Sequence, residues 1–312
     1  MRMFTALAGL IVVAGLLPAA AQPQGFVGRW NLTGTGQDAN RVYWLEVTDK
    51  EGALSGKFLN RGGSPLVLAS VKVENGTLVF QLPAGRDNKP GAEFRAKLEG
   101  GKLIGSHAEG NRTVNWVGVR PPKWPAADAN AKHSYGKPVE LFDGTSYDAF
   151  LPQSGDAISN WSIENGVLTN APPASNLVSK EKFKDFRIQA EYKLGEGSNS
   201  GIYLRGRYEL QVLDDYGKPV ESHGHMAIYA WTPPLVNASK PAGEWQSMDA
   251  VLVANRVTVT LNGTKVQDNA EIQAITGGAL DADELAPGPI LLQGDHAKVW
   301  FRKVTVTPIV SR

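Results

Sequence analysis

The 312-residue sequence contains no cysteine. No disulfide can staple it, no thiolate can attack a substrate or hold a metal, and no lipid can be attached through an N-terminal cysteine. An excess of one charge is also missing, because 32 Lys and Arg stand against 31 Asp and Glu. Without a basic field, neither nucleic acid nor an anionic membrane is an expected partner. After the first 21 residues no apolar run approaches the roughly 20 residues that a spanning helix needs, so no membrane insertion is expected. Helical periodicity never persists beyond about two turns. No Gly-rich dinucleotide fingerprint follows a strand, so NAD chemistry is not expected here.

What is present begins with a secretory pattern. Arg2 precedes an apolar run from Phe4 to Leu17, and Pro18-Ala19-Ala20-Ala21 supplies small residues for cleavage. Residues 1–21 therefore read as a removable signal, which implies a soluble secreted or periplasmic protein. The signal carries one Arg and no acid, so the mature chain is neutral.

Gly (34) and Pro (19) punctuate short runs rich in Val, Thr and aromatics, which points to an all-β fold. Residues 25–120 hold alternating runs such as Val42–Val47, Leu54–Leu59, Thr77–Gln81 and Thr113–Val119. Their spacing of 8–12 residues predicts seven or eight strands in a small antiparallel barrel or sandwich. Trp30, in Gly28-Arg29-Trp30, reads as a plug for one end of its core. Residues 121–135 are Pro-rich and read as a semi-rigid linker. Residues 136–312 return to short strands, among them Phe186–Lys193, Ser200–Leu204, Tyr208–Leu213, Met226–Ala230 and Arg256–Leu261, and suggest two stacked sheets.

The run Tyr208 to Asp214 carries the most chemistry. Alternation puts Glu209 and Gln211 on one face, about 7 Å apart, with Asp214 on the other unless a bulge intervenes. The Glu-x-Gln-x-x-Asp pattern resembles the Glu-x-Asp-x-x-Glu strand of laminarinase-type glycoside hydrolases, where paired carboxylates flank the scissile bond. His223-Gly224-His225 offers two imidazoles at i, i+2, so a divalent metal there is an open alternative to an ordinary turn.

From Val139 to Pro308 a series of motifs resembles the 3-keto-disaccharide hydrolase family. They run in order: Leu141-Phe142-Asp143-Gly144, Trp161, Asn165-Gly166-Val167-Leu168, and Phe183-Lys184-Asp185-Phe186. Asn199-Ser200-Gly201-Ile202-Tyr203-Leu204-Arg205, Tyr208 to Asp214 and Ala227-Ile228-Tyr229 follow. Lys240 to Trp245, Leu261-Asn262-Gly263, and Gly288 through Gln293-Gly294-Asp295-His296 to Phe301-Arg302 complete the series. Gln246, Ala297 and Lys303 depart from the usual Asn, Gly and Asn, and Gln246 is expected to bear on specificity.

The resemblance implies a concanavalin A-like jelly roll and a substrate already oxidised at C3 by a separate glycoside 3-oxidase or dehydrogenase. A C3 ketone acidifies the C2 proton, so a base, an acid and an oxyanion donor suffice to expel the C1 substituent. Glu209, Asp214 and His296 are the expected acids or bases. Arg205, Gln211, Tyr229, Lys240, Glu244, Trp245 and Gln293 are expected to bind substrate, with Lys240 and Arg205 as oxyanion donors. Two other readings stay open: a non-catalytic carbohydrate-binding module, and a laminarinase-like hydrolase acting on unoxidised glycosides.

Overall fold

The computed structural model describes residues 23–85 and 88–311. The expected signal, residues 1–21, lies outside them. Among the described residues no helix is long and apolar enough to cross a membrane.

Nine antiparallel strands make the first sheet: β1 (Gly28–Gly34), β2 (Val42–Lys50), β3 (Ala53–Asn60), β4 (Leu66–Val67), β5 (Ser70–Glu74), β6 (Thr77–Gln81), β7 (Glu93–Glu99), β8 (Lys102–Glu109) and β9 (Arg112–Val119). Their order is β4-β3-β2-β1-β9-β8-β7-β6-β5. The Leu68 N–H donates to the Gly56 carbonyl at 3.0 Å and the Ala69 N–H to the Gln81 carbonyl at 2.9 Å. The link between β4 and β5 thereby ties β3 to β6, and the sheet curls into a barrel, one of the two expected forms. Inward positions fill it with Trp30, Tyr43, Phe58, Phe80, Phe94 and Trp116. Trp30 is a plug as read: its indole N–H reaches the Phe26 carbonyl at 2.8 Å, and the Arg120 guanidinium lies 3.5 Å from its ring.

The rest of the chain forms a jelly-roll sandwich. One sheet runs Trp161–Glu164, Val167–Asn170, Val299–Ser311, Phe186–Leu194, Trp245–Val253, Arg256–Leu261 and Thr264–Glu271. The facing sheet has five strands: Phe150–Pro152, Leu177–Phe183, Gly288–Leu292, Asn199–Leu204 and Tyr208–Leu213. Alternating residues interlock between them, including Ile188, Tyr192, Ile202, Leu210, Val259, Leu292 and Phe301.

Met226–Ala230 is not a strand, contrary to its apolar pattern. Met226 (φ 60°) and Ala230 (φ 64°) take left-handed backbone, which ends extended structure. The segment instead runs along the edge of Tyr208–Leu213, held by the Met226 N–H on the Gln211 carbonyl (2.7 Å) and the Tyr229 N–H on the Glu209 carbonyl (3.1 Å).

Barrel and sandwich share apolar surface. β2 is apolar on both faces; Tyr43 and Leu45 point into the barrel, while Val42 and Trp44 join the sandwich core. Trp44 is wholly buried and meets Trp231 edge-on at 4.9 Å between centroids. The Pro-rich segment is likewise pinned: the Ala129 N–H reaches Asn269 at 2.9 Å and Asn130 reaches Asp268 at 2.6 Å. Trp44→Ala is expected to cost about 3–5 kcal/mol in chemical denaturation, the range for deleting a buried aromatic. A loss below about 1 kcal/mol contradicts a shared core.

Candidate active site

The site begins with strand alternation. Tyr208, Leu210 and Val212 face the sandwich core, so Glu209 and Gln211 face outward, as read from the sequence. They open into a cleft of about 360 Å³ that also takes Asn176, Asn199, Tyr203, Tyr229, Gln293, Asp295 and His296. Such a volume lies within the range of small-ligand pockets.

Glu209 is buried, with 4% of its surface exposed. A carboxylate there loses its hydration, and the nearby Asp295 charge disfavours a second anion. Burial first, and Asp295 after it, push the Glu209 carboxyl up to about 8, against the opposing pull of the Tyr203 hydroxyl. That hydroxyl lies 2.9 Å from Glu209 Oε2 and 2.9 Å from the Gly277 carbonyl. One phenolic proton cannot serve both. A protonated Glu209 resolves the conflict by donating to the Tyr203 oxygen while Tyr203 donates to Gly277. Burial and the Glu209 carboxyl hold the Tyr203 phenol well above its ordinary range, so it stays neutral.

Room for the Glu209 side chain is made across the strand pair. A Cβ on Gly201 would stand 2.5 Å from Glu209 Oε1, so only glycine fits beside the carboxyl in this position. Gln211 is oriented by its own strand: the Val212 N–H donates to its Oε1 at 3.1 Å, which leaves the amide NH₂ as the free end. His296 Nδ1 lies 2.7 Å from Asp295 Oδ1, both half exposed at the rim. Asp295 fixes the ring through Nδ1, leaving Nε2 for chemistry.

Five expected residues thus meet in the cleft: Glu209, Gln211, Tyr229, Gln293 and His296. Others do not. Asp214 lies past the strand end and accepts the Gly197 N–H at 2.8 Å; no bulge turns it round to Glu209. Arg205 is 1% exposed and pairs with Asp185 at 2.9 Å, bonds the Lys184 carbonyl, and lies 5.7 Å from the Trp124 ring. It clamps the linker and cannot reach a sugar. Lys240 donates to the Trp245 carbonyl at 3.0 Å, and Glu244 stands exposed in the same turn. Trp245 packs under Lys193 (5.4 Å) and Arg302 (4.5 Å) on the other sheet. None of these three lines the cleft. Gln246 is a buried staple outside the cleft: it exchanges two 3.0 Å bonds with the Lys240 main chain and accepts from Asn262 at 2.6 Å.

The two imidazoles diverge. His225 Nε2 meets the Tyr192 hydroxyl at 2.7 Å in the interior, and its Nδ1 meets the Leu213 main chain at 2.9 Å. Burial pushes it down to about 4, against the pull of Asp215, so it is neutral. His223 Nε2 instead meets Ser64 Oγ at 2.7 Å, and its ring packs edge-on against Tyr229 at 5.0 Å. No cluster of three or more metal-ligating side chains occurs among the described residues. His225→Ala should lose about 1–3 kcal/mol in a denaturant titration, because the Tyr192 hydroxyl is left unpaired. The metal content of the purified protein should not change; loss of a bound metal contradicts this reading.

The sequence leaves open whether the barrel closes over the cleft, and sequence reasoning named none of the barrel residues that line it. Gly62 and Gly63, after β3, line the cleft, and Gly277 packs so closely on Gly63 that a Cβ there would stand 2.3 Å from its carbonyl. The signals were the glycines of Arg61-Gly62-Gly63 and a β2 strand apolar on both faces.

The polar cleft on the outer face of this jelly-roll sheet thus brings together an acid, an imidazole and several amides. Residues 137–307 match the 3-keto-alpha-glucoside-1,2-lyase-like domain, more than half of the chain, and the protein belongs to that family. A 3-keto-disaccharide hydrolase of Bacteroides thetaiotaomicron is 23% identical over an alignment of 164 residues that covers 41% of this chain and 57% of that relative. Two solved structures from Parabacteroides distasonis, both described as candidate glycosyl hydrolases, are also similar. One shares 28% identity over 61% of this chain and 92% of its own, with a TM-score of 0.49. The other shares 21% over 55% and 94%, with a TM-score of 0.48. The barrel lies outside the family match.

Proposed function

We propose that the protein is an exported enzyme that cleaves 3-keto-glycosides, with the Asp295–His296 pair as base and Glu209 as acid. The observation that carries this is the contrast between the two groups across one cleft. A buried carboxyl with its pKa near 8 holds a proton at neutral pH, while a rim imidazole oriented by a carboxylate has a free nitrogen.

In this reading His296 takes the C2 proton, made acidic by the C3 ketone. The enolate oxygen receives the free amide ends of Gln211 and Gln293, which replace the cations first expected there. The enolate collapses to a C1=C2 double bond as the C1–O bond breaks, and Glu209 gives its proton to the departing oxygen. Water then adds at C1 of the enone, losing a proton to the Glu209 carboxylate, while His296 returns a proton to C2. Both groups end as they began, and the net reaction is hydrolysis. The substrate must come from a separate enzyme that oxidises C3.

The test is cleavage of 3-keto-trehalose, or of a chromogenic 3-keto-glucoside, beside the unoxidised parent. Cleavage of the keto form alone is expected. Equal cleavage of the parent would favour an ordinary glycosidase, and saturable binding without cleavage a binding module.

A further inference from the structure

The mouth of the barrel encloses a second cavity, of about 580 Å³, beside the cleft. Gly62, Gln153 and Gly278 line both, so the two spaces adjoin. The end of a small barrel is ordinarily filled by side chains. This one is open, and its walls carry Arg41, Tyr43, Asn60, Arg61, His107 and Glu109.

Two wall residues have unmet polar groups. His107, 8% exposed, stacks on Phe94 at 4.1 Å, and its buried Nδ1 has no hydrogen-bond partner among the described residues. The Tyr43 hydroxyl is buried beside Arg41 and makes no well-formed hydrogen bond. Both atoms lie beneath the cavity wall, so the polar groups the wall itself presents are the exposed side chains of Asn60, Arg61 and Glu109. Most charges of the mouth are matched: Arg41 pairs with Asp38 at 2.7 Å and Glu109 at 2.6 Å, and Arg112 pairs with the same two acids. Arg61 has no ion pair among the described residues, and with Asn60 beside it the wall offers fixed donors and acceptors to the hydroxyls of a polyol.

Position gives the third argument. Glu209 is bonded through Tyr203 to Gly277, and Gly278, next in sequence, borders the barrel cavity. The acid is thereby tied to the wall that cleft and barrel cavity share, and the Asp295–His296 loop reaches the same wall through the Gly294 N–H on Asn176 (2.8 Å) and Asn176 on Gln153 (2.8 Å). A group that leaves by taking the Glu209 proton departs beside that shared wall.

We infer that the barrel mouth is the subsite for the leaving half of the substrate, a second neutral glycosyl unit. This rests on the assignment of Glu209 as the acid. The barrel then selects disaccharides over glycosides with small leaving groups.

The test uses the full protein and Arg61→Ala and Asn60→Ala variants, whose side chains rim the cavity away from the acid and base. Calorimetry compares glucose with a panel of glucosyl disaccharides. At least one disaccharide should bind about tenfold more tightly than glucose, and the variants should erase that ratio while leaving glucose within about twofold. Equal affinity for mono- and disaccharides, or a preference that survives both variants, overturns the inference. In turnover, kcat/KM should fall about tenfold for the 3-keto-disaccharide and under about twofold for methyl 3-keto-glucoside. Equal losses on both substrates also overturn it. If no 3-keto-glycoside is cleaved, the functional reading fails, and the binding comparison still decides whether the cavity holds sugar.

Discussion

Glu209→Gln is expected to cut turnover of a 3-keto-glycoside by about 10²–10⁴-fold, the usual contribution of a positioned acid or base. Binding should survive, because at neutral pH the native carboxyl is already uncharged and the amide has the same shape. The wild-type profile carries the complementary sign. The protonated form of Glu209 is the active one, so activity should fall about tenfold per unit above pH 8, since the carboxyl titrates near 8. Glu209→Gln should lose that alkaline limb. Stability moves the same way. The folded state keeps a proton that the unfolded chain releases near 4.5, so stability falls as pH rises from about 4.5 to about 8. A thermal melt of the variant should show a shallower decline over that window. An unchanged alkaline limb in the variant contradicts the assignment.

Gly201→Ala should have the second largest effect. Its new Cβ would press within 2.5 Å of Glu209 Oε1, and the neighbouring backbone is fixed by pairing of Asn199–Leu204 with Tyr208–Leu213. The carboxyl is the part that can move, and it moves off its Tyr203 bond. A displacement of about 1 Å at a reacting group can cost about 10²-fold in rate, and a loss of about 10–100-fold is expected here. Circular dichroism and the melting curve should show a folded protein. Near-normal activity would mean that the position of Glu209 does not matter to the reaction.

The strand periods of the sequence were a good guide to which residues share a face. They placed Glu209 with Gln211 and turned Asp214 away, and they located most strands of the barrel to within a residue or two. They say nothing of what covers a face. That the barrel roofs the cleft through Gly62 and Gly63 depends on packing between segments more than 140 residues apart, such as Ser64 on His223. Cations misled for a related reason. Arg205 and Lys240 looked like oxyanion donors because their charge is visible in the sequence. Their partners, Asp185 and the Trp245 carbonyl, emerge only in the fold. Met226–Ala230 failed differently: its apolar pattern suits a strand, but two left-handed residues turn it into an edge-hugging loop that delivers Tyr229.

The most direct measurement is the reaction run in D₂O and followed by NMR, with an enzyme-free control for spontaneous exchange of the keto sugar. If His296 removes the C2 proton and a solvent-exchanged proton returns, the 3-keto-glucose released carries one deuterium at C2 for each turnover. Product that retains its original C2 hydrogen means that the C1–O bond broke by direct displacement, and contradicts the elimination and hydration route.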